Sequence, residues 1–270
     1  MKQSFFYFCG NIFNHYAMNQ NCAIIVAGGS GSRMQTDEPK QFLELCGKPI
    51  LMHTIMAFAD ACEGIRLIVV LPSLEIGYWR ELCSRYGFAL PHETIEGGST
   101  RFHSVKNGLS LLSGKGWVAI HDGVRPLVSR QTITGCFREA ANYGCAVPVL
   151  SVNDSVREVS GLTSRVLDRS VLRLIQTPQV FEITALKKAY EQEYIPAFTD
   201  DASVFENAGH TIRLTKGNVE NIKITTPNDL IIAEALKRGS GLFSGQTHLN
   251  FLRNKSGKVL IETECGYNKT

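Results

Sequence analysis

The sequence contains no run of five or six like charges, so it offers neither a nucleic-acid-binding tail nor a polybasic membrane anchor. Nor is there an apolar stretch of the roughly 18 residues that a membrane span needs. The eight cysteines, Cys9, Cys22, Cys46, Cys62, Cys83, Cys136, Cys145 and Cys265, form no C-x-x-C pair, and the seven histidines form no H-x-x-x-H pair. Those absences exclude a zinc knuckle and a protein-held transition metal. Cys22 and Cys145 sit in apolar, strand-like runs where a thiol behaves as a small hydrophobe, which suits reduced cysteines in the cytoplasm. At the N-terminus, Asn11, Asn14 and His15 interrupt any apolar core of a signal peptide. Residues 1–20 are therefore expected to be a leader, disordered or ahead of the native start, with Met18 as the candidate first residue.

What remains is the composition of a globular protein: 44% apolar, 20% charged and a net charge of +3 over 270 residues. That length allows a single large domain with a buried core. Apolar strand-like runs alternate with amphipathic stretches, the pattern of an α/β domain whose sheet is mostly parallel. Strands are expected at Cys22–Ala27, Arg66–Leu71, Ile95–Gly98, Trp117–His121 and Cys145–Leu150. Helices are expected at Pro49–Ala61, from Pro72 to about Tyr86, and at Arg101–Leu112 and Gln131–Asn142. From Ser151 to about Gln176 the rhythm changes to polar–apolar alternation around Ser160-Gly161, which reads as a protruding β-arm. Helical patterning returns at Ile183–Glu193, Asp201–Asn207 and Asn228–Lys237, with a strand at Thr211–Leu214. Residues 240–270, rich in Gly, Ser, Asn and Lys, are expected to form a peripheral tail to a domain covering 21–239.

The strongest chemical signal is Ala27-Gly28-Gly29-Ser30-Gly31-Ser32-Arg33-Met34, followed by Pro39-Lys40-Gln41. Glycines directly after a strand let backbone N–H groups approach an anion without a Cβ in the way. The loop is not a Walker A sequence, since Arg33 stands where the second glycine is required. It is not a dinucleotide fingerprint either, since Met34 occupies the third glycine position and no acid ends the second strand. What is left is a phosphate loop with Arg33 at its exit and Lys40 beyond it, a fork and a mobile point charge suited to a triphosphate. The competing reading is a surface turn with two solvated cations.

These residues, with PKQF at Pro39–Phe42, EGGSTRFHSV at Glu96–Val105, HDGVRP at His121–Pro126, TPQVF at Thr177–Phe181, TDDAS at Thr199–Ser203 and NIKITTPNDL at Asn221–Leu230, resemble the 2-C-methyl-D-erythritol 4-phosphate cytidylyltransferase family. The resemblance runs from about Cys22 to Leu236 and implies a Rossmann-like nucleotidyltransferase fold. It implies that CTP is joined to a sugar-alcohol phosphate with release of pyrophosphate. Mg²⁺ would be held mainly by substrate phosphates, with Asp122 as the candidate protein carboxylate. Arg33, Lys40 and Lys223 match the cations that grip the phosphates, and Arg169 matches an arm residue that positions the acceptor across a homodimer. Ala27, Gly28, Gly29, Gly31, Gly97, Gly98, Ser99 and Ser104 match the nucleotide-binding stretches; Asp122, Arg125, Ser155 and Thr177 match the acceptor-contacting positions. No nucleic acid and no membrane is implied as a partner.

The residues themselves leave several alternatives open. Lys223 lies in a strand-like alternation opposite two isoleucines, facing a cleft or solvent. Arg169 could be a surface partner of Asp168. His121-Asp122 could be an acid–base pair, although no nucleophile accompanies it and packing suits His121 better. Asp200-Asp201 could bind a metal or serve the start of a helix. Rival functions are a ribitol or other pentitol 5-phosphate cytidylyltransferase, a non-catalytic nucleotide-binding module, and, least compatible with Met34, an NAD-dependent oxidoreductase.

Overall fold

The computed structural model describes residues 20–28, 34, 38–244, 251–253 and 259–261. The leader, the glycine-loop residues Gly29, Gly31 and Arg33, and most of the expected tail lie outside them.

Four parallel strands form the centre of a mixed sheet: β1 (Gln20–Val26) lies between β6 (Gly116–Asp122) and β4 (Arg66–Leu71), and β5 (Glu93–Glu96) closes the β4 side, while β2 (Glu44–Leu45) and β3 (Lys48–Pro49) pair apart from it. Burial on both faces explains why these strands read as unbroken apolar runs rather than alternating ones. Along β1 the side chains still divide by parity. Ala23 and Ile25 join a core with α1 (Ile50–Ala61), α2 (Ile76–Arg85) and α4 (Arg130–Tyr143). Cys22 and Ile24 join another with α3 (Arg101–Ser110), α5 (Ile183–Ala189) and α6 (Asp201–Asn207). The result is a three-layer α/β/α domain. Its helix ends have local causes: Ser129 accepts from Thr132 N–H to start α4, and Gly144, at φ +86°, ends it in a left-handed turn.

One departure from the expected elements and one irregular segment shape the site. The far side of the sheet brings in two antiparallel strands, which the alternating α/β pattern did not reveal. Strands β10 (Arg173–Ile175) and β11 (Gln179–Glu182) both run against β7 (Cys145–Ser151), and β11 also pairs with β6. They lie along the same edge of β7, because Gln176 N–H donates to Pro148 O and Glu182 N–H to Gly144 O. The opposite edge of β7 is taken by β12 (Leu214–Lys216). From Ile175 to Val180 there are five steps, against three from Val149 to Ala146 on the partner strand, so the chain bulges by two residues. That bulge contains Gln176, Thr177 and the cis-bonded Pro178.

Lys223 lies in an irregular segment outside any strand, and the strand-like alternation read there survives: Ile224 is fully buried in a small core with Leu45, Ile50, Val124 and Ala233. The strand expected at Thr211–Leu214 begins only at Leu214, and the one expected from Ile95 lies earlier, at β5. Helix α5 stops at Ala189 rather than Glu193. Helix α7 (Pro227–Ser244) continues past the Gly239 boundary, and β13 (Phe251–Arg253) pairs with β14 (Val259–Ile261) beyond it. The arm is present as the β8 (Val156–Ser160) and β9 (Thr163–Leu167) hairpin, turning at Gly161 with φ +57°.

Candidate active site

The carboxyl ends of β1, β4, β5 and β6 all point to one edge of the sheet, where open α/β sheets leave a crevice. A cavity of about 330 Å³ opens there. Of the residues singled out from sequence, Ala27, Gly28, Lys40, Gly98, Ser99, Ser104, Asp122 and Lys223 line it. Segments distant in sequence thus meet at one surface.

Each wall has a structural reason. Lys40 begins a single 3-10 turn, Lys40–Phe42, clamped to α2: Gln41 donates to Glu75, Tyr78 Oη donates to Glu38, and the Phe42 ring stacks on Trp79 at 5.9 Å. Opposite it, Ser104 Oγ accepts from Gly98 N–H at 3.1 Å and donates to Thr100 O at 3.0 Å, folding the Gly98–Thr100 loop onto the start of α3. A Cβ on Gly98 would come within 2.3 Å of the His103 Cβ, closer than real carbons approach, so that turn requires glycine. Gly97 sits just behind, its N–H bound to Leu71 O.

Asp122 forms the floor and is, among the described residues, the acidic one in the cavity wall. Its carboxylate lies 3.0 Å from Lys223 Nζ, 3.1 Å from Arg125 Nε and 3.6 Å from Arg101 Nε. Burial pushes its pKa up, but Arg101, Lys223 and Arg125 outweigh that and hold the carboxyl far below the usual carboxylate range. It is a permanent anion amid cations.

Behind the floor the hydrogen bonds fix the state of His121. Arg125 O, which can only accept, lies 3.1 Å from His121 Nε2, so that nitrogen carries the proton. Thr177 Oγ1 accepts from Asp122 N–H at 3.1 Å and donates to His121 Nδ1 at 3.0 Å. His121 is also fully buried against Phe58, with ring centroids 5.0 Å apart. Burial, above all, lowers its pKa to about 4, so it is neutral and belongs to the scaffold, as its apolar neighbours implied. Thr177 is buried too, its hydroxyl engaged on the inner side of the floor.

The Asp200-Asp201 ambiguity resolves by direction. Asp200 caps α6 through Ser203 N–H, whereas Asp201 is fully buried and grips Arg101 with both oxygens, at 3.0 and 2.6 Å. Among the described residues no cluster of three or more His, Cys, Asp or Glu is placed to hold a metal ion. Arg101, which lines the cavity, was missed from sequence. It stands inside EGGSTRFHSV, but its partner Asp201 is a hundred residues away and nothing local announces the pairing.

Arg169 and Ser155 do not line the cavity within this chain. Both are exposed on the arm, and Arg169 donates to Asn153 O rather than pairing with Asp168, whose carboxylate accepts from Ser170 N–H. Val159 and Val166 of the arm are exposed, and Leu162 at the hairpin tip is fully presented to solvent.

Comparison with known proteins agrees with this architecture. Over 219 residues the chain is 52% identical to 2-C-methyl-D-erythritol 4-phosphate cytidylyltransferase of Phocaeicola vulgatus, covering 81% of this chain and all of that protein. It is likewise 52% identical to the Bacteroides fragilis protein of that name over 214 residues, covering 79% of this chain and 98% of the relative. Among solved structures, the Thermus thermophilus 2-C-methyl-D-erythritol 4-phosphate cytidylyltransferase superposes with a TM-score of 0.62 at 32% identity, covering 80% of this chain and 98% of that one. The Anaerococcus prevotii 4-diphosphocytidyl-2C-methyl-D-erythritol synthase gives 0.70 at 26%, covering 82% and 96%. Residues 21–238 match the family model described as IspD, 2-C-methyl-D-erythritol 4-phosphate cytidylyltransferase, and the chain belongs to that family.

Proposed function

We propose that this chain catalyses the reaction of CTP with 2-C-methyl-D-erythritol 4-phosphate, giving 4-CDP-2-C-methyl-D-erythritol and pyrophosphate. The observation that carries the reading is the convergence of Lys40, Lys223 and the Gly98–Thr100 backbone on one cavity at the strand ends. The cavity is at the lower end of the roughly 300–1,000 Å³ span of ligand pockets, which suits a nucleotide whose acceptor is enclosed by further residues. An oxygen of the acceptor phosphate forms the new bond to the CTP α-phosphorus, and the bond to the β-phosphate oxygen breaks as pyrophosphate leaves. No protein nucleophile is required, so the protein's task is alignment and charge neutralisation. Lys40 and Arg33 would hold the triphosphate. Lys223 would face the α-phosphate, where negative charge builds as attack proceeds.

Asp122 is a single hard oxygen ligand, which fits an ion that takes few protein carboxylates and is otherwise held by phosphates and water, as Mg²⁺ is. Such an ion would supply further neutralisation of the phosphate charge. Arg125 and Thr177 would set the acceptor's position through the Asp122 floor. Arg169 and Ser155 would reach the site of a second copy through the arm, making the working unit a homodimer. The catalytic unit would be the stretch 21–239, acting in the cytoplasm.

The test is pyrophosphate release from CTP, measured with 2-C-methyl-D-erythritol 4-phosphate and with ribitol 5-phosphate as alternative acceptors. Turnover with the first and little with the second is expected. The reverse preference would transfer the assignment to a pentitol phosphate, and no release with either would remove it.

A further inference from the structure

The cavity contains a cation whose donors are already committed. Arg101 gives both terminal nitrogens to Asp201, and its Nε faces Asp122 at 3.6 Å. Asp201 is fully buried and also accepts from Tyr190 Oη at 2.6 Å. Tyr190 is buried in turn, stacked on Phe102 with ring centroids 4.7 Å apart. A chain of contacts therefore runs from the core between α5 and α6 to the cavity floor: Tyr190, Asp201, Arg101, Asp122, Lys223.

We propose that Arg101 is a positioning residue for the transfer reaction: anchored by Asp201 and Tyr190, it holds the Asp122 carboxylate where that carboxylate steadies Lys223. The planar fork explains why arginine serves here. Two nitrogens meet both oxygens of Asp201, which leaves the third directed at the floor. Arg125 approaches Asp122 from the other side and is itself held, its Nη1 donating to Asn221 O. Asp122 is thus fixed by arginines on two sides, and Lys223, on an irregular segment with its side chain partly exposed, is the movable partner. When a phosphate enters, Lys223 can turn to it while the carboxylate stays in place. The proposal rests on the assignment of Lys223 to the nucleotide phosphates.

Removing Arg101 alone strands a buried carboxylate, so the informative variant replaces the pair by apolar residues of similar size, which proteins often tolerate without loss of stability. Made on a Tyr190→Phe background, so that no buried hydroxyl loses its partner, Arg101→Met/Asp201→Leu is expected to keep a melting temperature close to that of the background and to lower kcat about tenfold, with the KM for CTP changing less than threefold. Arg101→Lys, which keeps the charge without the fork, should also fail to restore full kcat. Against a Lys223→Ala background, the paired substitution should cost less than a further twofold, because both changes act through one contact chain. If the pair variant keeps wild-type kcat, or if its loss multiplies in full with that of Lys223→Ala, the positioning role is overturned. If Lys223→Ala itself turns over normally, the phosphate assignment fails instead, so the two failures are distinct. Should the pair variant not fold, the Arg101→Lys and Lys223→Ala cycle carries the same test.

Discussion

The cavity floor and the arm are both rich in charged and polar side chains, yet they are built on opposite terms. At the floor, Asp122 is held by three cations and Thr177 meets two partners, while Asp201 engages both Arg101 and Tyr190. In the arm, Arg169 and Ser155 are exposed, and so are Val159, Leu162 and Val166. Burial forces the first region to settle its own electrostatics, because an unpaired ion in a low-dielectric interior is expensive. The arm meets no such demand within one chain. The proposed function assigns the arm's exposed apolar side chains to contact with a second copy.

That contrast can be broken in measurable ways. The largest effect is expected at the cavity's lysines: Lys40→Ala or Lys223→Ala should lower kcat roughly a hundredfold or more, the scale of losing a charge-stabilising group, with circular dichroism unchanged. Near-normal turnover in both would remove the phosphate-gripping role. Next comes the arm. Arg169→Ala should be nearly inactive alone, as should Lys223→Ala, but an equimolar mixture reassembled from separated subunits should regain about a quarter of wild-type activity, because half the dimers carry one intact site of two. A mixture as inactive as its components would place Arg169 in its own chain's site.

A smaller effect is expected behind the floor. His121 has a folded pKa of about 4 and an ordinary value of 6.5, so the unfolded chain binds more protons between those limits. Its contribution is therefore present above pH 6.5 and lost as the pH falls towards 4. The shift corresponds to roughly 3 kcal/mol. Urea titrations at pH 7 and pH 4.5 should show a steeper loss for wild type than for His121→Gln. Asp122 acts in a lower window, since its stabilising ion pairs disappear only below the ordinary carboxylate range. Equal slopes for the two proteins would mean that His121 accepts a proton without disturbing the floor. The smallest effect belongs to the arm tip: Leu162→Asp should leave the stability of one chain within about 0.5 kcal/mol, as surface changes do. The same change should weaken dimerisation in sedimentation measurements if the tip meets a partner.

Much of this was legible before any coordinates. The strand Arg66–Leu71 and the helix Asp201–Asn207 fall where apolar runs and helical spacing place them. Ala27 and Gly28 of the glycine-bearing loop, with Lys40, line the cavity. The antiparallel strand β11 was not anticipated, because its four residues follow a bulge whose existence depends on register against β7. The strand-like alternation read around Lys223 survives although no strand forms there, because a period-two pattern does not need a neighbour to pair with it.

By itself the sequence determined the layered α/β architecture, the glycine-bearing loops and which cations accompany them, since periodicity and backbone permissiveness are local properties. Only the tertiary structure decided what each charge does. It made Asp201, in the first turn of α6, also the anchor of Arg101, made His121 neutral, and separated Lys223 at the floor from Arg169 on the arm. Those outcomes depend on distances between segments as much as a hundred residues apart and on how much water remains between them, and neither quantity is carried by any stretch of sequence.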